Sequence, residues 1–340
     1  MSMLTADPNH VAGRVLRKIA RYYERDNIEE VIVNRPGTAW IKERRADWEE
    51  HDAPELTYEY IHRVCRILAN INSAKFSEDD LPVVSCELPG APFRFQAVVG
   101  PNVRYDLQDR KGVAVAIRAL TADTGIDFSS YGLTGNAVLP GTRAALVQFE
   151  LGEDHIESLT SIVNAHQSII VSGATSTGKT TFTNKVIEML PMQERVITVE
   201  DARELTVPHP NRVHLVVPRN RSANQIGYPQ IIDSLVRLTP DWIVCGELSI
   251  QNAQPIYATM GKGHPVITTV HAGSPDEAVA AFAQNMSIAG ADSALSGEAL
   301  YDSIRSQIGA IIQLERLDGR RRVVDIAFPA REIARERNLS

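Results

Sequence analysis

Residues Gly173 to Thr180, Gly-Ala-Thr-Ser-Thr-Gly-Lys-Thr, limit what this chain can fold into more than any other stretch. A glycine, four residues and then Gly-Lys-Thr is the spacing of a phosphate-binding loop, which works only where a strand runs into it and a helix leaves it. Both flanks fit. Ser168-Ile169-Ile170-Val171 is a short apolar run of buried-strand type, and Thr181 to Leu190 reads as a helix stopped at Pro191. The glycines let the backbone turn tightly around an anion, so that loop N–H groups and the positive end of the helix face it. Gly173, Ala174, Thr175, Ser176, Thr177, Gly178, Lys179, Thr180 and Thr181 are the expected cradle for a nucleotide. In such a loop the lysine, Lys179, reaches the β- and γ-phosphates and the Thr180 hydroxyl binds Mg²⁺.

The surrounding pattern divides the chain in two. Towards the start, Val11, Val15, Leu16, Ile19 and Tyr23 share a helical face, with Asp7-Pro8 ahead of them as a start signal. Glu29 to Asn34 and Ala39 to Glu43 read as strands around the turn Arg35-Pro36-Gly37-Thr38, and Thr57 to Asn72 as a helix. Val83 to Leu88, Phe93 to Val99 and Val113 to Ile117 add strands, which predicts a mixed α/β domain with a mainly antiparallel sheet. From about 119 to 150 the pattern weakens into Thr, Asp, Gly and Ser, which places a linker there and domains at 1–140 and 141–340. Beyond it, strands at 168–171, 196–199, 213–217, 242–246 and 266–270 alternate with helices at 154–165, 181–190, 229–238, 251–260 and 276–286, and a hairpin at 310–328 closes the chain. Such alternation predicts a doubly wound, mainly parallel sheet.

Three of those strands end in residues that carry chemistry. Val196 to Val199 runs into Glu200-Asp201-Ala202-Arg203-Glu204, Trp242 to Cys245 into Gly246-Glu247, and Val266 to Val270 into His271. In open α/β sheets ligands sit at the carboxyl ends of the strands, so the pattern aims two carboxylates and an imidazole at the phosphate site. Phosphoryl transfer to water needs a metal holder, a group that orients the water, and positive charge on the γ-phosphate.

Composition narrows the alternatives. With 35 basic and 42 acidic residues the net charge is −7, which gives no global attraction to nucleic acid and argues against a DNA-strand motor. Cys65, Cys86 and Cys245 are far apart and form no Cys-x-x-Cys pair, so buried thiols in a reducing compartment are expected. No run approaches 18 apolar residues, and the start lacks the apolar core of a signal peptide; the expected location is the cytoplasm, peripheral at the inner membrane through partners.

Taken in order, these motifs resemble the secretion ATPases, most strongly the hexameric traffic ATPases of type IV secretion systems. Glu30 to Gly37 with Trp40, Leu88-Pro89-Gly90 with Arg94, and Ala116-Ile117-Arg118 look like that family's smaller domain. Ser172 to Thr181 resembles its phosphate loop, Ile197 to Leu205 its acidic box, Pro240-Asp241 through Gly246-Glu247 its Walker B region, and Gly263 to Ala272 its histidine box. The resemblance implies an α/β fold: a RecA-like P-loop NTPase domain with a twisted, mainly parallel sheet, preceded by a smaller mixed α/β domain. It also implies a Mg²⁺-dependent ATPase built as a homohexamer and docked on inner-membrane components, with no sequence-specific nucleic acid. Carried across, Lys179 and Thr180 hold phosphates and Mg²⁺, Glu247 works at the metal, and Glu200 orients water with Asp201 and Glu204 in support. His271 contacts the γ-phosphate, and Arg118, then Arg94 and Arg104, are the arginines that reach the nucleotide, with Arg237 a candidate in the nucleotide domain. Two departures stand out: Ser249 replaces the arginine usual after Gly-Glu-Leu, and the histidine box is one residue short. A nucleotide-gated switch without turnover, or a type II secretion or pilus ATPase, is the alternative, although three scattered cysteines cannot supply the type II zinc module.

Overall fold

The structure, a computed structural model, describes residues 11–25, 27–120, 154–218, 226–290 and 297–339. The linker expected at 119–150, with the boundary at 140/141, and the Asp7-Pro8 start signal fall almost wholly outside them. The chain splits into two compact units, Met1–Leu120 with Pro191–Gly246, and Thr121–Leu190 with Glu247–Ser340.

The first unit begins with α1 (Val11–Tyr23), followed by β1 (Ile28–Val33), β2 (Gly37–Glu43), β3 (Trp48–Ala53), α2 (Tyr58–Ile71), β4 (Val83–Glu87), β5 (Phe93–Gly100), β6 (Val103–Arg104) and β7 (Gly112–Ala119). Six of the strands form an antiparallel sheet in the order β3-β2-β1-β7-β5-β4. The period-2 pattern decides its faces. Val31, Val33, Phe95, Ala97, Val115 and Ile117 point to one side, where they are buried with Leu16 and Ile19 of α1 and Ile61, Val64 and Leu68 of α2. Burial of each such side chain stabilises by about 1.5–3 kcal/mol. The helix α2 starts at an N-cap, the Thr57 side chain accepting from the Tyr60 N–H at 3.2 Å.

The same unit includes β9 (Val196–Glu200), β10 (Arg212–Val216), α5 (Tyr228–Val236) and β11 (Trp242–Cys245). Here β11, β9 and β10 run parallel, and β6 adds antiparallel to β10 through the pairs His214 with Arg104 and Leu215 with Val103. A polar network ties this segment to the antiparallel sheet. Arg195 is fully buried; its Nη1 donates to Asn34 Oδ1 at 2.6 Å and Asn211 Oδ1 at 2.7 Å, and its Nε to the Leu238 carbonyl at 2.9 Å. The Asn34 amide donates to Asn211 Oδ1 at 2.9 Å, and the Thr239 hydroxyl to Glu30 Oε1 at 2.7 Å. Burial pushes the Arg195 guanidinium down to about 10, against the pull of Glu30 and Asp241, and pushes the Glu30 carboxyl up.

The second unit holds α3 (His155–Asn164), β8 (Ser168–Gly173), α4 (Lys179–Ile187), α6 (Ala253–Gly261), β12 (Val266–Val270), α7 (Pro275–Ile288), α8 (Glu298–Arg305), β13 (Ile308–Leu317), β14 (Arg320–Ala327) and α9 (Pro329–Leu339). Its strands lie in the order β14-β13-β8-β12, with β13, β8 and β12 parallel and β14 returning antiparallel. Asp154 caps α3 by accepting from the Ile156 N–H at 2.8 Å, and Ser274 caps α7 by accepting from the Glu277 N–H at 3.2 Å. All the expected strands and helices of the described residues are present. The sequence pattern missed β3, whose Trp-Glu-Glu-His-Asp-Ala is mostly polar, the two-residue β6, and the charged helices α8 and α9. Cys65 and Cys245 are buried thiols as expected, whereas Cys86 is only partly buried; all three are free. Among the described residues no helix is long and apolar enough to cross a membrane.

The Arg195 network sets a stability test. Arg195→Ala leaves Glu30, Asn34, Asn211 and the Leu238 carbonyl without their partner, and is expected to cost about 3–5 kcal/mol in urea unfolding. Asn34→Ala removes a neutral amide and should cost about 1–2 kcal/mol.

Candidate nucleotide site

Strand β8 is buried along its whole length and ends at Gly173, after which the loop turns out and Ala174, Thr175 and Ser176 are exposed. The turn requires backbone that most side chains avoid. Gly173 has φ +155°, and a β-carbon there would stand 2.5 Å from the Leu314 carbonyl oxygen and 2.6 Å from Thr177 Oγ1. Gly178 has φ +94° and forms the N-cap of α4, which begins at Lys179, two residues earlier than the sequence pattern predicts. Ser176 also takes a left-handed φ of 65°. The Thr177 hydroxyl donates to the Ala174 carbonyl at 2.9 Å, closing the loop on itself.

Lys179 is 8% exposed and folds back over this loop. Its Nζ donates to the carbonyls of Gly173 at 2.8 Å and Ala174 at 2.9 Å, and lies 3.1 Å from Nδ1 of His271. Burial pushes the ammonium's pKa down, opposed by the charge of Glu247. An ammonium has only protons to give, so Nδ1 accepts and the imidazole proton sits on Nε2. That nitrogen faces Glu247 Oε1 at 3.6 Å. The structure therefore brings Lys179, His271 and Glu247 together in one unit.

Backbone pairing holds the two outer members in place. Val270 lies opposite Ser172 in the parallel ladder of β12 and β8, which sets His271 beside Gly173. The Leu248 N–H donates to the Thr269 carbonyl at 2.8 Å, and the Asn252 amide to the Glu247 carbonyl at 2.9 Å. Asn252 also accepts from the N–H of Ser249 at 2.8 Å. Asn252 thus clasps the turn that carries Glu247, a role the sequence pattern gave no signal for.

Glu200 belongs to the other unit, at the end of β9, and is buried. Its Oε1 accepts from the N–H groups of Glu204 and Leu205, both at 2.8 Å, and its Oε2 from Arg203 Nη1 at 2.7 Å and the Thr198 hydroxyl at 3.1 Å. A carboxylate has about four acceptor positions, and four donors fill them. Because the Thr198 hydroxyl gives its proton to Glu200, it accepts from Nδ1 of His214 at 2.7 Å. His214 is held neutral, its pKa pushed well down by burial and by the charges of Arg203 and Arg212. Asp201 is partly buried and Glu204 exposed on the same turn.

The arginines are spread over the first unit. Arg94 and Arg118 are exposed and face each other across β5 and β7, with Glu87 opposite Arg94 and Glu30 opposite Arg118. The row reads Glu-Arg-Arg-Glu over four strands. Arg104 donates to the carbonyls of Pro101 and Val103 beside it, and Arg237 pairs with Asp233 at 3.0 Å on its own helix. Thr180 and Glu247 offer a hydroxyl and a carboxylate, the hard oxygen donors that Mg²⁺ takes.

Gly173 gives the sharpest test of this geometry. Gly173→Ala must displace the Leu314 backbone or distort the loop and is expected to cost about 2–4 kcal/mol in urea unfolding. Gly178→Ala meets only the Arg321 side chain besides its own φ strain and should cost less.

Comparison with known proteins agrees with this geometry. The model of the family described as type II/IV secretion system protein matches residues 143–335. The type IV secretion system protein VirB11 of Bartonella quintana (strain Toulouse) is 28% identical over 336 residues, covering 92% of this chain and 91% of that protein. VirB11 of Brucella suis biovar 1 (strain 1330) is 30% identical over 276 residues, 76% of this chain and 73% of that protein. The type IV secretion system protein PtlH of Bordetella pertussis is 29% identical over 333 residues, 92% and 94% of the two chains. The crystal structure of the VirB11 ATPase from the Brucella suis type IV secretion system, in complex with sulphate, superimposes with a TM-score of 0.78 over 94% of this chain and 99% of that one, at 24% identity.

Proposed function

This chain belongs to the type II/IV secretion system protein family, and on that footing we propose that it is the ATP-hydrolysing motor of a type IV secretion system, powering substrate export or pilus assembly. The observation that carries the reading is the linked set Lys179, His271 and Glu247 at the end of the phosphate loop. A Mg²⁺ ion held by Thr180 and Glu247 would neutralise charge that develops on the phosphates. In this reading the loop N–H groups from Ala174 to Thr181 bind the phosphates, and Lys179 exchanges its carbonyl partners for phosphate oxygens. His271, released from Lys179, turns its Nε2–H towards the γ-phosphate. Glu200 orients the attacking water by giving up one of its two side-chain donors, Thr198 or Arg203.

The wider arrangement is proposed from the same family footing. The chain works as a homohexamer, with nucleotide-driven motion between an amino-terminal domain of about 1–140 and a nucleotide domain of 141–340. Arg118, with Arg94 next to it, brings positive charge to the nucleotide. We place the ring in the cytoplasm, peripheral at the inner membrane through protein partners of the secretion machine.

Steady-state phosphate release with Mg²⁺-ATP tests the chemistry. Lys179→Ala and Glu247→Gln are expected to lower turnover by at least about a hundredfold, while Glu247→Gln still binds ATP. Glu200→Gln should also lower turnover, and His271→Ala should do so less severely. Nucleotide binding by the parent protein with no phosphate release, alone or with membranes carrying its partners, would overturn the reading in favour of a switch.

A further inference from the structure

The closing hairpin reaches beyond the strand it pairs with. Leu314 of β13 lies opposite Gly173, the last residue of β8, so Glu315, Arg316 and Leu317 run on alongside the phosphate loop and β14 returns with Arg320, Arg321 and Arg322. All four arginines of this overhang are exposed. Cross-strand register sorts them by face. Arg322 lies opposite Glu315, an opposite-charge pair, whereas Arg316 lies opposite Arg321. Like charges directly opposite destabilise a strand pair, and among the described residues neither Arg316 nor Arg321 has a hydrogen-bond or ion-pair partner.

Arg321 is also the residue packed on the loop. Its Cδ and Nε lie 2.6 and 3.1 Å from where a β-carbon on Gly178 would stand, and its guanidinium carbon 3.5 Å from it. Gly178 is the residue before Lys179 and the N-cap of α4, so this guanidinium stands where the helix presents its unpaired N–H groups. Two unpaired cations, side by side at that end, are stabilised by an anion that bridges them. A planar guanidinium also suits phosphate oxygens in a way an ammonium does not.

We propose that Arg321, with Arg316 across the hairpin, contacts the phosphate chain of the bound nucleotide from within the same subunit. The proposal rests on the nucleotide reading of the phosphate loop given above. It assigns a binding role to the carboxyl-terminal hairpin and a second cation, besides Lys179, to the same unit.

The test uses the full-length chain, a fluorescent ATP analogue, and inorganic tripolyphosphate as a competitor that has no base or ribose. Arg321→Gln keeps an aliphatic stem on Gly178 while removing the charge. It is expected to weaken both the analogue and tripolyphosphate by about tenfold, with the unfolding temperature of the nucleotide-free protein unchanged. Arg321→Lys should recover part of the loss, Arg316→Gln should weaken both ligands by about two- to threefold, and Arg322→Gln should leave both unchanged. Undiminished tripolyphosphate affinity in Arg321→Gln overturns the proposal, whether or not the analogue is weakened, since a contact to base or ribose alone would spare tripolyphosphate. Failure of the underlying site looks different: the parent would bind neither ligand, or Lys179→Ala would bind both as well as the parent.

Discussion

The parallel register around β8 is the constraint on which the nucleotide site depends. In a parallel ladder neighbouring strands end together, so whatever follows each strand is delivered to one edge. Val270 opposite Ser172 puts His271 next to Gly173, and Leu314 opposite Gly173 puts the hairpin overhang on the other side. A shift of one residue in either pairing would turn the imidazole or the hairpin arginines to the opposite face. The buried runs Ile169 to Val171 and Ile267 to Thr269 hold that register through packing, so the chemistry at the edge is set by residues that take no part in it.

The first unit solves a different problem. Its antiparallel sheet is covered by α1 and α2 on one face, and on the other it meets backbone ends and carbonyls of the segment 191–246. An all-apolar contact would bury that face without fixing how the segment lies on it. Arg195 fixes it, since a planar guanidinium donates in set directions to Asn34, Asn211 and Leu238. The cost is a charge taken fully out of water, offset by these bonds and by the nearby Glu30 and Asp241.

Much of this was legible in the sequence because its signals are local. The phosphate loop, the hairpin at Arg35 to Thr38, the N-cap at Thr57 and the acid or imidazole ending a strand each fall within a few residues. What was not legible depends on partners far along the chain. Strand β3 carries Glu49, Glu50, His51 and Asp52 because it is an edge strand paired only with β2, so it never needs the apolar alternation that marks a strand. Arg195 reads as one more surface charge in Glu194-Arg195-Val196 until Asn34, 161 residues away, is seen to bond it. Arg321 sits in a run of three arginines that reads as a solvated turn, and only the register with Arg316 and the contact with Gly178 separate it from its neighbours. Glu200 shows the reverse case. Its position was legible, but its four donors were not, and they determine how freely it can meet a water molecule.

The cage around Lys179 has one more consequence. Its three protons already have three acceptors, two carbonyl oxygens and an imidazole nitrogen, so any anion that takes the lysine must replace them rather than add to them. A small monovalent ion offers too few oxygens to make that exchange favourable, and a chain of linked phosphates offers enough. The loop thus behaves as a threshold device: cellular chloride and stray carboxylates leave it undisturbed, and the lysine is surrendered only to a ligand dense in negative charge.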